Sequence, residues 1–192
     1  MIELVHGKEP LQLANFRQQY PLATLEDFSS QDFQRIKSIV KAQLNQEQGQ
    51  LCVYCEMRLT ANDGQIDHIK PKSAYPHLAF VYTNYAHCCI NNATCGQKKK
   101  AGVLPIEPVP HCNEKFILNT DGSIDPLPIL TKSEKHSVRQ TRDMLGLQHP
   151  DLVREREKWI KSVRELIKQH PSLVSIFLAD EPFRYILQRF TG

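Results

Sequence analysis

The sequence predicts an α+β protein in which a short cysteine-rich centre lies between two helical regions. Apolar residues recur at helical spacing in residues 30–46 and again after residue 131. Between residues 50 and 104 the pattern is short and irregular, and this stretch holds five of the six cysteines. We therefore expect an N-terminal helical segment (1–50), a central module (51–104), an irregular connection with a hairpin (105–130) and a C-terminal helical region (131–192).

The helix predicted over residues 30–46 has one apolar face. Phe33, Ile36, Val40 and Leu44 recur at its spacing, and Ser29 with Asp32 has the spacing of a capping box. This pattern indicates a helix that packs against a core.

The connection and the C-terminal region are marked by turn and capping residues. FILNTDGSI, residues 116–124, has two short apolar runs around Asp-Gly and predicts a hairpin. Thr131 and Glu134 have capping-box spacing, and Gly146 is a natural stop for the helix they begin. Asp151 is the predicted cap of a longer helix that ends before Pro171, and two short helices follow.

Composition indicates a globular protein of the cytoplasm. The chain has 192 residues, 41% of them hydrophobic and 23% charged, with a net charge of +3. Its longest apolar run, residues 173–179, is far shorter than the roughly 20 residues that span a bilayer, and its start lacks a signal pattern. In a reducing compartment, close cysteines are metal ligands more often than disulfides. Cys112, outside the centre, is interpreted as a small buried hydrophobic residue.

The cysteines predict a structural zinc site. Cys52 and Cys55 form a C-x2-C pair, whose spacing lets two thiolates bind one zinc ion. A second pair must come from Cys88, Cys89 and Cys95. We take Cys89 with Cys95, because neighbouring residues on a strand point to opposite faces and Cys88 would face away. Four sulfurs close the site and leave no position for catalysis.

A second cluster of functional residues begins at IDHIKPKS, residues 66–73. It places Asp67 and His68 side by side between isoleucines, ahead of a proline and two lysines. Asn84 follows, and a lysine run at residues 98–100 comes after the last of the central cysteines. A solvated loop does not need the flanking isoleucines and a buried strand does not favour two adjacent ionisable groups, so this arrangement requires a functional explanation.

The order of these residues resembles the HNH endonuclease family over about 50 residues. The C-x2-C pair, the Asp-His-Ile-x-Pro-x-Ser stretch, the asparagine, the later cysteines and the lysine follow each other as in that family. The whole chain is similar to the PtuB-type HNH proteins associated with retrons and Septu systems. The resemblance implies a ββα-metal fold in which Asp67 and His68 end the first strand, Asn84 begins the second, and a helix follows Cys95.

The resemblance also implies a role for each residue. Asp67 binds one divalent cation, Mg²⁺ or Mn²⁺, that contacts the scissile phosphate. His68 is the general base that takes a proton from the attacking water, and Asn84 orients it through hydrogen bonds to the backbone. The nucleic-acid contacts are assigned to four basic residues, Lys70, Lys72, Lys98 and Lys99.

One position departs from the family pattern. Where the family commonly carries a second cation ligand after the last cysteine, this chain has Gly96, and its second cysteine pair is C-x5-C. The alternatives for that ligand are Asn91, Asn92, Gln97 and His87. We take Asn92 as the second ligand.

The function predicted from this resemblance is metal-dependent cleavage of phosphodiester bonds, with DNA favoured over RNA such as tRNA. The resemblance implies a defence effector that works with a PtuA-like ATPase and, in some systems, with a reverse transcriptase and its RNA-DNA hybrid. A zinc-stapled subunit that binds nucleic acid without cutting it is the rival hypothesis, and Gly96 favours it.

Overall fold

The computed structural model describes the backbone of residues 1–191 and the side chains of residues 1–188. It combines seven α-helices and two small antiparallel sheets, which confirms the predicted α+β class. In chain order the elements are α1 (Leu11–Gln19), α2 (Gln31–Glu47), β1 (Gln65–His68), β2 (Tyr85–Cys88), α3 (Cys95–Lys99), β3 (Phe116–Leu118), β4 (Ile124–Pro126), α4 (Lys132–Met144), α5 (Pro150–Gln169), α6 (Val174–Leu178) and α7 (Arg184–Thr191).

Helix α2 forms where the apolar periodicity predicts a helix, but its cap lies one residue later. Ser30, not Ser29, is the N-cap, and its hydroxyl accepts a hydrogen bond from the amide of Phe33 at 3.2 Å. The apolar face packs into an aromatic cluster whose buried members are Leu13, Phe16, Phe28, Phe33, Val40, Leu44, Tyr82 and Tyr85. Two of these tyrosines belong to the central module, so α2 is packed directly against it.

Strands β1 and β2 form the antiparallel pair at the centre of the module. Asp67 pairs with Ala86 and His68 with Tyr85, so the Asp-His pair lies at the end of β1. Asn84 directly precedes β2. Gln48, just after α2, exchanges hydrogen bonds with the backbone of His87, each at 2.8 Å, and this fixes the end of α2 against β2.

The predicted hairpin and C-terminal helices are present. Strands β3 and β4 pair around Gly122, which adopts a positive φ of 84°. The capping box of Thr131 and Glu134 begins α4. The cap of α5 was wrongly predicted: His149 is its N-cap, and Asp151 lies in its first turn.

A single apolar core connects the module to the C-terminal helices. Its buried members include Leu51 and Val53 of the module together with Ile160 of α5 and Leu187 of α7. Arg156 of α5 is buried in the same region. Within residues 1–191, no helix is long and apolar enough to cross a membrane.

Candidate active site

Four cysteine sulfurs meet beside the β1–β2 pair. The Sγ atoms of Cys52, Cys55, Cys89 and Cys95 all lie within 4.8 Å of one another. Cys52 and Cys55 lie in the turn before β1, Cys89 directly follows β2, and Cys95 begins α3. Three of the four are buried, and four thiol sulfurs form a donor set that structural zinc sites use. The group could therefore hold a metal ion that joins the two ends of the module.

The protonation of this group also favours a cation. Hydrogen bonds from the neighbouring thiols lower the pKa of Cys89, whereas the hydrogen bond with Cys52 raises the pKa of Cys95. The pKa of Cys55 is raised as well, so one sulfur is favoured as a thiolate while Cys55 and Cys95 are favoured as thiols, because adjacent negative charges repel each other. A divalent cation would remove that repulsion and allow the group to ionise.

Cys88 lies outside the four-sulfur group. It is the last residue of β2, and its sulfur lies 3.8 Å from the side-chain nitrogen of Gln65. A methyl group at Gly96 would approach the same sulfur to 2.7 Å, so Cys88 packs against the start of α3. The sixth cysteine, Cys112, is buried and belongs to the main core.

The carboxylate of Asp67 is held by two donors on one oxygen. The hydroxyl of Tyr54 donates to Oδ2 at 2.6 Å, and the ammonium of Lys99 lies 2.9 Å from the same oxygen. The side chains of Lys99 and Asp67 are 1% and 10% exposed, so this is a buried ion pair. Burial and the nearby Asp67 charge raise the pKa of Tyr54 well above its ordinary value, which keeps the phenol protonated as a donor.

The imidazole of His68 has a defined tautomer. Its Nε2 lies 2.9 Å from the backbone carbonyl of Ala79, and the hydroxyl of Tyr85 donates to the same oxygen at 2.5 Å. A carbonyl oxygen only accepts, so Nε2 carries the proton and Nδ1 is the basic nitrogen of the neutral ring. Burial lowers the pKa of His68 below its ordinary 6.5, which keeps the ring neutral near pH 7.

Asn84 connects the loop after His68 to the strand that pairs with it. Its side-chain oxygen accepts from the amide of Lys70 at 2.8 Å, and its nitrogen donates to the carbonyls of Lys70 and Leu78 at 3.0 and 3.2 Å. Leu78 adjoins Ala79, the residue that binds His68. Asn84 therefore fixes both backbone segments around the imidazole.

Asp67 and His68 open onto a cavity of about 320 Å³. Its lining residues are Ile66, Asp67, His68, Pro71, Lys72, Ser73, Gly96, Lys100 and Ala101. A carboxylate, a neutral imidazole and lysine side chains around one opening can accommodate a phosphate and a water molecule.

The second cation ligand predicted at Asn92 has no support in this geometry. Asn92 is exposed in the loop after β2 and is not among the residues that line the cavity. The alternatives are engaged elsewhere: Asn91 accepts from Ala93, Gln97 donates to Gln65, and His87 contacts Asn45.

Gly96 faces Asp67 at the position where a second ligand would stand. A methyl group at this glycine would lie 3.1 Å from Asp67 Oδ1, so a longer side chain there would be directed at the carboxylate. Oδ2 is occupied by Tyr54 and Lys99, which leaves Oδ1 as the protein oxygen for a divalent cation. Mg²⁺ commonly binds through one carboxylate together with water and substrate phosphates, and the residues present fit that arrangement.

The lysines assigned to nucleic acid occupy different positions. Lys99 is buried against Asp67 and donates to the carbonyl of His68 at 2.8 Å, so the assignment of a phosphate contact to Lys99 is corrected to a structural ion pair. Lys98 is exposed on α3, and Lys70 lies 3.9 Å from Glu107 at the surface. Lys72 lines the cavity and stands over the ring of Phe28, with its ammonium 4.3 Å from the ring centroid.

Sequence reasoning missed three contributors to this site. Tyr54 lies inside the C-x2-C pair, Phe28 packs 4.9 Å from the His68 ring between centroids, and Lys37 of α2 stands 4.0 Å above Phe28. Tyr54 could have been predicted from the sequence, because a tyrosine between two metal ligands is held next to the strand that carries Asp67. The other two are brought to the site by packing of the N-terminal segment, which no local motif encodes.

The module has two antiparallel strands, a helix that begins at Cys95 and an Asp-His pair that faces a cavity. These features define an HNH-type ββα-metal module. No family model matches the chain. The sequence is 43% identical over 204 residues to the "Retron Vc95 putative HNH endonuclease" of Vibrio cholerae serotype O1 biovar El Tor, and the alignment covers 100% of both chains. The chain therefore belongs to the HNH endonuclease family, in a group linked to retrons.

Proposed function

We propose that this protein is a metal-dependent endonuclease that hydrolyses phosphodiester bonds, with DNA as the favoured substrate. The observation that carries the proposal is the state of His68. Its Nε2 is bonded to the Ala79 carbonyl, so Nδ1 is the basic nitrogen of the ring, and Asp67 is the one carboxylate among the described residues that line the cavity. A binding protein has no need of a base with a fixed tautomer next to a carboxylate.

Each residue of the site has a role in this reaction. His68 takes a proton from the attacking water at Nδ1 while Nε2 stays bonded to the backbone. Asp67 would hold Mg²⁺ or Mn²⁺ through Oδ1, and the ion, when bound, stabilises the negative charge that develops on the phosphate oxygens. Tyr54 and Lys99 fix the carboxylate by its other oxygen. Zinc is the ion we propose for the four cysteines, where it joins α3 to the turn before β1.

The biological setting follows the family. We propose a defence effector that works with a PtuA-like ATPase and a retron reverse transcriptase carrying its RNA-DNA hybrid, as the relative's name links that protein to a retron. The C-terminal helical region is the proposed ATPase contact, because Ile167, Leu173 and Ile176 expose apolar surface there. Trp159 of α5 packs against the main core and Val163 is buried within it, so the proposed contact uses the exposed residues only.

The test compares labelled DNA and RNA of one sequence, incubated with Mn²⁺ and the full chain, with and without the co-encoded ATPase. His68→Ala is expected to lower cleavage by roughly 10² to 10⁴-fold, the typical contribution of a general base. His77→Ala is the matched control, because His77 is exposed and is not among the residues that line the Asp67–His68 cavity. Near-normal cleavage by His68→Ala in every metal tried would exclude His68 as the base.

A non-cleaving nucleic-acid-binding subunit is the second candidate, and Gly96 is the observation that favours it. With one carboxylate oxygen available, the site offers fewer protein ligands than a cation site with a side chain at position 96. This candidate predicts that wild-type protein binds the probes but leaves them intact with Mg²⁺, Mn²⁺ and the ATPase present. Cleavage of RNA but not of DNA would instead support the proposed mechanism and show that RNA, not DNA, is the substrate.

A further inference from the structure

Two lysines from distant parts of the chain meet over one aromatic ring next to His68. Lys37 of α2 places its ammonium 4.0 Å from the centroid of Phe28, and Lys72 places its ammonium 4.3 Å from the same centroid. Phe28 itself lies 4.9 Å from the His68 ring. The two ammonium groups are therefore gathered at the edge of the candidate active site.

Neither of these ammonium groups has a carboxylate partner among residues 1–188. Two other lysines of this region are engaged: Lys99 is paired with Asp67, and Lys41 donates to the carbonyl of Asn62 at 3.0 Å. Burial lowers the pKa of Lys37, and the charge of Lys72 lowers it further. Two like charges close together and partly removed from water are unfavourable unless an anion stands between them.

The position of the pair connects two cavities. Phe28 and Lys37 line a cavity of about 360 Å³, and Lys72 lines the cavity of Asp67 and His68. Ile66 of β1 lines both. A polynucleotide that places one phosphate at His68 can therefore carry its next phosphate past Ile66 toward the two lysines.

We infer that Lys37 and Lys72 form a phosphate clamp that binds the backbone of the nucleic-acid strand next to the phosphate being cleaved. The inference rests on the proposed nuclease function and assigns to the N-terminal helical segment a part in substrate binding. Phe28 supports the lysine stems and holds both ammonium groups at the cavity edge, since cations are attracted to the face of an aromatic ring.

The test measures the salt dependence of binding. Fluorescence anisotropy of a labelled 20-nucleotide single-stranded DNA, the DNA duplex and the matching RNA is recorded with the full-length His68→Ala chain, which leaves the probes uncut, without added magnesium or manganese. The slope of log K against log salt is negative, and Lys37→Met in that background is expected to reduce its magnitude by about 0.7 for single strands and about 0.9 for the duplex, the value of one phosphate contact. Lys37→Arg should preserve the slope.

Arg35→Met is the matched control, because Arg35 is exposed on the same helix and does not line either cavity. Its slope should equal that of the parent. An unchanged slope in Lys37→Met, an equal loss in Arg35→Met, or no binding of any probe by the parent would overturn the clamp. Unaltered metal content and melting temperature show that Lys37→Met is folded. The nuclease proposal is judged separately by cleavage with the wild-type and His68→Ala chains, so the two failures are distinguishable.

Discussion

The cysteine group and the Asp67–His68 cavity lie in one small module, but they are built on opposite principles. In the cysteine group four sulfurs lie within 4.8 Å of one another and supply the four donors of a structural zinc site from the chain alone. In the cavity Asp67 offers one uncommitted oxygen, and a glycine faces it. A closed donor set serves stability, whereas an open one leaves room for water and substrate.

Helix α3 connects these two regions. Its first residue, Cys95, belongs to the sulfur group, and its last residue, Lys99, pairs with Asp67. A metal ion bound at the cysteines would therefore fix the start of the helix whose last residue, Lys99, pairs with the Asp67 carboxylate. We therefore expect a substitution in the cysteine group to disrupt the structure of both regions. A substitution in the Asp67–His68 cavity should leave metal binding by the cysteines intact.

The largest expected effect is that of Cys52→Ser. Binding of structural zinc is worth about 10–16 kcal/mol at pH 7, so losing one sulfur is expected to abolish metal binding and unfold the module. Elemental analysis and near-ultraviolet circular dichroism of the purified protein measure the two losses. Cys88→Ser is the control and should keep its metal, because its sulfur contacts Gln65 and Gly96. Loss of metal from Cys88→Ser would show that the assignment of the second pair is wrong.

Local motifs predicted a large part of the fold and of the site, because their spacing along the chain sets their geometry. The capping box at Thr131 and the hairpin at Gly122 depend on neighbours within a few residues, and the structure confirms both. The approach of the four sulfurs follows from two short pairs. The N-cap of α2 was harder to predict from the sequence. Ser29 and Ser30 both carry a hydroxyl that could cap the helix, and the backbone conformation decides that Ser30 does so.

The rest of the site depends on long-range packing, which the sequence does not encode locally. Lys99 lies in a run of three lysines and has the pattern of a surface residue, yet the path of α3 buries it against Asp67. In the sequence, Lys37 occupies an ordinary polar position of α2. Its place near the site arises because the aromatic cluster packs Phe28 beside His68 and Lys37 lies over Phe28. Asn92, predicted as the second ligand, is exposed in the loop that the longer spacing of the second cysteine pair creates, and it does not line the cavity.

The next largest effect tests the link through α3. Lys99→Met removes one partner of a buried ion pair and leaves Asp67 charged, which typically costs about 3–5 kcal/mol. Chemical denaturation of the metal-loaded protein measures this loss. Lys98→Met, the exposed neighbour, should stay within about 0.5 kcal/mol of wild type. Adding Asp67→Asn to Lys99→Met should recover part of the loss, because the uncompensated charge is gone. Equal stability of the two lysine variants would disprove the structural role of Lys99.

The smallest expected effect on stability, and the most selective on the cavity, is that of Asn84→Ala. The change leaves the amide of Lys70 and the carbonyls of Lys70 and Leu78 without their side-chain partner, and an unsatisfied buried group costs about 1–3 kcal/mol. The cysteine group should keep its metal, since none of its sulfurs contacts this loop. Cleavage should fall more than stability implies, because the backbone that carries Ala79 no longer fixes the His68 tautomer. Thr83→Ala, at the exposed neighbouring position, serves as the control. Comparing kcat with the affinity for an uncut probe separates the two roles: a positioning residue lowers kcat and preserves affinity, whereas equal loss of both would show that Asn84 shapes the binding surface instead.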